Sequence, residues 1–130
     1  MKILQPQDWP RPKGYSNGIA ARGTQVFVSG IVGWNRSGEF EDVDFAAQVR
    51  QALKNIVAIL AEAKARPEDI VRMTWYVTDK QEYLDSAANL GTAYREVMGR
   101  HFPAMTVVEV AGLVESNAKV EIEVTAVIPD

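Results

Sequence analysis

The sequence predicts an α+β fold, one mixed sheet with two helices on a single face, in the order ββαβαββ. Three observations carry that prediction: helical spacing of apolar residues over 45–63, strict alternation after Asp69, and two strand-like runs near the C-terminus around a Gly112-Leu113 turn region. With 130 residues, 47% of them hydrophobic, few prolines and moderate charge, the chain is expected to form one domain spanning 1–130.

Residues 5–18 hold three of the six prolines together with Gly14 and Gly18, and read as an irregular lead-in. Two short apolar-rich runs follow, Ile19–Arg22 and Gln25–Ser29, separated by Gly23-Thr24 with the spacing of a tight hairpin. Gly30 is expected to end the second strand, and 31–44 to form a solvated loop in which Trp34 and Phe40 need cover. Over 45–63, Phe45, Val49, Ala52, Leu53, Ile56, Val57, Ile59, Leu60 and Ala63 make one apolar stripe, and Gln48, Gln51, Lys54 and Glu62 are assigned to the opposite side. Asp44 is the predicted N-cap, and Pro67 stands just past the end.

Val71, Met73, Trp75 and Val77 then alternate with Ile70, Arg72, Thr74, Tyr76 and Thr78, the pattern of a central strand. A second helix is predicted from 79–82 to about Gly99, with Tyr83, Ala87, Leu90, Tyr94 and Val97 inward and Gly91 as its weak point. Thr106–Val110 and Val120–Val127 complete the sheet. Met105 starts the first of these and Glu121 lies inside the second, an arrangement expected to bring the two to one site.

A formal charge of −3, with acids and bases interleaved, leaves no basic stripe for a phosphate backbone, so nucleic acid is not an expected partner. Without cysteine there are no disulfides, thiolate metal sites or Cys nucleophile. No run approaches the roughly 18 apolar residues of a membrane span. Gln5-Pro6 follows Met1–Leu4 where a signal core would continue, and a cytoplasmic location is the default expectation. His101 is the only histidine, which excludes a zinc site built from several imidazoles of one chain. Ser29 lacks a nucleophile-elbow context, and the glycines form no phosphate-binding fingerprint. Neither a metal nor an organic cofactor is expected. Two helices cover one sheet face only, and apolar side chains on the other face predict self-association with closed cyclic symmetry.

Six landmarks in order resemble the RidA/YjgF/UK114 reactive-intermediate deaminases over essentially the whole chain. They are Pro12-Lys13-Gly14-Tyr15-Ser16, Val26-Phe27-Val28-Ser29-Gly30, the helix from Gln48 to Leu60, the strand from Asp69 to Asp79, Phe102-Pro103-Ala104-Met105-Thr106, and Val120-Glu121-Ile122-Glu123. The resemblance implies a chorismate-mutase-like fold and a homotrimer with helices outside and small-molecule sites in clefts between subunits. It further implies hydrolysis of 2-imino or 2-enamino acids to 2-oxo acids and ammonia. Position by position, Tyr15 would line the cleft, Gly30 and Ile31 would offer backbone groups, and Glu121 would position or activate the attacking water.

Met105 departs from the archetype, which has there an Arg that clamps the substrate carboxylate through a bidentate contact Met cannot make. Losing such a pair costs on the order of 2–5 kcal/mol when the partner charge stays buried. The archetype's Asn before the helix Tyr aligns with Gly91, so Asn89 inherits no role. These departures resemble a divergent subgroup that includes 2-aminomuconate deaminases, whose longer conjugated enamine could rest on Trp34, Trp75 or Met105, with Arg100 or Arg36 as candidate carboxylate partners.

Each residue also has an ordinary structural reading. Glu121 and Glu123 share a face and could be surface charge, and Glu109 reads as a solvated or cross-strand residue. Tyr15 could anchor the lead-in, Trp75 could be core, Trp34 could cap a surface, and His101 could be a plain loop residue. The combined expectation is a cofactor-free deaminase of a small imine or enamine with Glu121 as its catalytic residue. The alternatives are a non-catalytic small-molecule-binding or regulatory trimer, which Met105 favours, and a holdase.

Overall fold

The computed structural model describes residues 1–130. Its strands are β1 (Lys2–Leu4), β2 (Gly18–Ala20), β3 (Thr24–Val32), β4 (Ile70–Val77), β5 (Ala104–Glu109) and β6 (Val120–Ile128). Its helices are α1 (Phe45–Glu62), α2 (Lys80–Asp85) and α3 (Ala87–Met98), and a 3-10 turn at Pro67–Asp69 leads into β4.

The main sheet has the order β3-β6-β4-β5, with β6 antiparallel to both neighbours and β4 parallel to β5. Strands β3, β4 and β5 therefore run the same way. Parallel strands need long crossovers, and α1 and the α2–α3 pair supply them. Both crossovers pack on one face, where α1 also touches α3. This is the expected α+β layering, and it buries a single cluster centred on Val49, Leu53, Ile56 and Leu60 of α1, Met73 and Val77 of β4, and Ile122 and Ala126 of β6. Each of these side chains larger than alanine contributes about 1.5–3 kcal/mol by leaving water.

Five local expectations are corrected. The 19–29 stretch is no hairpin: β2 pairs with β1, and β3 pairs with β6, at the far end of the chain. Turn chemistry at Gly23-Thr24 fixed where the chain bends, whereas the strand partners are chosen by distant apolar surface. Gly30 does not end its strand, because β3 continues to Val32 after a register shift between Val28 and Ile31. The second helix is two helices, broken at Ser86 rather than at Gly91, with the Ser86 hydroxyl donating to Glu82 O at 2.6 Å. A hydroxyl that bonds back to the preceding turn competes with helix propagation. Ala87, placed inward, is exposed, and Ile59 is 40% exposed rather than inside the α1 stripe.

Gln48 is the fifth correction. Assigned to the solvent side, it is 1% exposed, because α1 is covered on that flank by the loops before it and before β6. Its amide nitrogen donates to Asp42 O and Asn117 O, both at 3.0 Å, and its oxygen accepts from Lys119 N at 2.8 Å. Three bonds from one side chain tie two loops to the helix. The predicted N-cap is present, with Asp44 accepting from Ala47 N at 3.0 Å. Replacing Gln48 by Leu keeps the volume and strands the Lys119 N–H, so urea unfolding should show a loss of roughly 3 kcal/mol with an unchanged m-value.

Candidate functional site

Between the α2–α3 pair and strands β4 and β5 lies a cavity of about 570 Å³, within the range of small-molecule sites. Ten of its fourteen lining residues are hydrophobic. The strands contribute Trp75, Met105 and Val107; the helices contribute Tyr83, Leu90 and Tyr94; Tyr15 and Phe102 come from the loops beside β5. Local sequence explains the placement. Alternation along β4 sends Trp75 inward to 2% exposure, and Met105, in parallel register with Met73, lies on the same helix-covered side.

The aromatic lining is ordered by edge and face contacts. Tyr83 meets Phe45 and Trp75 edge-on, at centroid distances of 6.4 and 6.3 Å, and Tyr94 stacks on Phe102 at 5.8 Å. The Tyr94 hydroxyl donates to His101 O at 2.6 Å. Burial pushes the phenols of Tyr83 and Tyr94 above the ordinary tyrosine range, so both remain neutral donors. The Trp75 indole N–H is buried with no acceptor. Tyr15 reaches the cavity because its neighbour Ser16 is fixed. Ser16 N donates to Pro103 O at 3.0 Å and its hydroxyl to Phe102 O at 2.5 Å, laying the lead-in along the β5 edge.

A second group occupies the helix-free face. Glu121 stands in register with Tyr76, and Glu123 with Thr74. The Tyr76 hydroxyl donates to Glu123 Oε1 at 2.5 Å, and that bond, with the nearby carboxylates, raises its pKa. Gly30 lies directly against Glu121, where an added Cβ would collide with the carboxylate. This face is not dry: Phe27 is 73% exposed and Val108 39%, but Arg72, Tyr76, Glu121 and Glu123 share it.

Met105 and Glu121 therefore do not meet within one chain. Strand β4 separates their strands, and their side chains leave opposite faces of the sheet. The structure joins Tyr15, Met105 and Trp75 at the cavity, and Gly30 with Glu121 on the open face. Ile31 packs against the core beneath the helices. Trp34 lies apart from both groups, its ring 6.2 Å from Phe40 and its carbonyl accepting from Asn55 Nδ2 at 2.9 Å. Neither Arg36 nor Arg100 lines the cavity; Lys13 and Arg95 do. Glu109 accepts from Lys80 N at 2.7 Å at the start of α2, and His101 Nε2 bonds to Ile70 O at 2.6 Å, so both have structural duties. No group of three or more His, Asp or Glu is placed to hold a metal ion, and no helix is long and apolar enough to cross a membrane.

A tyrosine whose folded pKa is raised contributes stability that is intact below the unfolded value of ~10 and declines as pH rises above it. Tyr94→Phe should cost about 1 kcal/mol at neutral pH through the lost hydrogen bond. It should also flatten the alkaline decline in urea midpoint between about pH 9 and about pH 11 relative to the parent chain. An equally steep decline in both proteins would remove Tyr94 as the titrating group.

A family profile described as Endoribonuclease L-PSP matches residues 9–128. A 2-iminobutanoate/2-iminopropanoate deaminase from Escherichia coli is 37% identical over 131 residues, with 97% of each chain covered. A RutC family protein from Aquifex aeolicus is 35% identical, covering 98% of this chain and 99% of its own. Among solved structures, YyfB of the conserved Rid protein family from Yersinia pestis superposes with a TM-score of 0.85 at 27% identity, covering 98% of both chains. Escherichia coli TdcF with bound serine gives a TM-score of 0.69 at 32% identity, covering 98% of this chain and 99% of its own.

Proposed function

This chain belongs to the Endoribonuclease L-PSP family, the RidA/YjgF/UK114 proteins, and from that premise we propose that it is a hydrolytic deaminase of a small imine or enamine. The observation that carries the reading is the pairing of Gly30 with Glu121, where a glycine leaves room for a carboxylate beside an open strand. The relative named as an iminobutanoate and iminopropanoate deaminase supports the reaction class. An enamine resembling 2-aminomuconate fits the same scheme once it has tautomerised to the imine. The family description names a ribonuclease, yet a net charge of −3 without a basic stripe argues against an RNA substrate.

In this reading water adds to the carbon of the C=N bond while Glu121 takes its proton. The tetrahedral carbinolamine then collapses, the C–N bond breaks, and nitrogen leaves as ammonia after receiving the proton, with a 2-oxo acid as the other product. The protonated imine is already electrophilic, so orientation and one carboxylate suffice and neither metal nor organic cofactor is called for.

Glu121 and Gly30 lie on one sheet face and Tyr15, Met105 and Trp75 at the other, and this reading joins them in the homotrimer that the family resemblance implies. One protomer supplies the carboxylate and its neighbour the cavity. The mixed apolar and charged open face suits such an interface. Met105 supports one alternative, a trimer that binds small molecules or regulates without catalysis.

Glu121→Gln should lower kcat for ammonia release about 100-fold or more while leaving the sedimentation coefficient of the assembly unchanged. Unimpaired release by the variant would end the assignment of Glu121, and silence of the parent chain across imino acids and 2-aminomuconate would favour the binding protein.

A further inference from the structure

We propose that the cavity selects an imino or enamino acid bearing an aromatic or similarly bulky apolar side chain, and that Arg95 on α3 holds its carboxylate in place of the arginine missing at position 105. The proposal rests on the deaminase reading of the same site.

Charge comes first. Lys13 and Arg95 are the charged residues lining the cavity, and no Asp or Glu joins them, although the chain as a whole is acidic. The site is therefore set for an anion. Arg95 is exposed and takes part in none of the four ion pairs of the chain. A free planar guanidinium is the group best matched to a carboxylate.

Gly91 gives the second argument. It sits within α3, where glycine is less favourable than alanine, and its backbone makes no demand that only glycine meets. A Cβ there would approach Arg95 Nη1 to 3.3 Å. The missing side chain lets the guanidinium lie close over the helix at Gly91, where a Cβ would make it give by a few tenths of an ångström.

Size and lining set the substrate class. A cavity of about 570 Å³ walled by Trp75, Tyr83, Leu90, Tyr94 and Phe102 is far roomier and more aromatic than a three- or four-carbon imino acid needs. Trp75 supplies an aromatic wall there, with its indole N–H buried and unpartnered behind the lining.

Titration calorimetry with phenylpyruvate, the oxo acid that such a substrate would leave, tests this directly. The parent chain should bind phenylpyruvate about tenfold or more tighter than pyruvate. Arg95→Gln should lose about tenfold or more, Arg95→Lys should recover part of it, and the distant Arg22→Gln should change nothing. The Trp75 indole N–H resonance, identified by its absence in Trp75→Phe, should move on adding phenylpyruvate. Equal affinity for the two oxo acids, or phenylpyruvate binding indifferent to Arg95→Gln, overturns the proposal. Ammonia release from the imine of phenylalanine separates the two readings: Arg95-dependent binding without release sinks the deaminase alone, and release untouched by Arg95→Gln sinks the role of Arg95 alone.

Discussion

The insertion of β6 between β3 and β4 is the constraint on which the molecule depends. It keeps β3, β4 and β5 parallel, and successive crossovers then step across the sheet in one direction. Crossovers of one hand stepping in one direction land on one face. The core, the cavity beside β5 and the bare carboxylate-bearing face are all consequences of that placement. Had α1 and α3 landed on opposite faces, β4 would be sealed on both sides and Tyr76, Glu121 and Glu123 could not remain accessible charges and hydroxyls.

Local periodicity made much of this legible. The alternation of β4 and the spacing of α1 require only nearest neighbours along the chain, and Asp44 announces its cap by chemistry. What escaped depends on long-range choice. Gln48 looks solvent-facing on a helical wheel, and only the loops that fold over it, from 42 and 117–119, reveal three backbone partners. Strand β3 looks ready to turn back on its predecessor, yet the larger apolar surface of β6 claims it.

The site was legible as residues but not as an arrangement. Glu121, Gly30, Tyr15 and Met105 could all be marked from motif order, whereas the face each occupies follows from strand pairing through β4, which linear order does not reveal. Arg95 gave no motif signal at all. Its only trace in the sequence was indirect: a glycine four residues earlier inside a good helix, an expense with no local return. Tyr94 reads only as an inward helix position, and Phe102 only as the start of a landmark run, until their stack closes one wall of the cavity.

The same pairing has a kinetic side. Thr24 is matched with Ile128, so the first strand of the main sheet cannot be completed until residue 128 has been made. Strands β3 and β4 both wait for β6, and neither has another partner on that side. Non-local pairing of this kind slows folding, and it leaves apolar strand edges uncovered while the rest of the chain is being synthesised. Helix α1 can form early, but the surface it must bury against arrives from both ends of the chain, so the order of synthesis runs against the order in which the sheet closes.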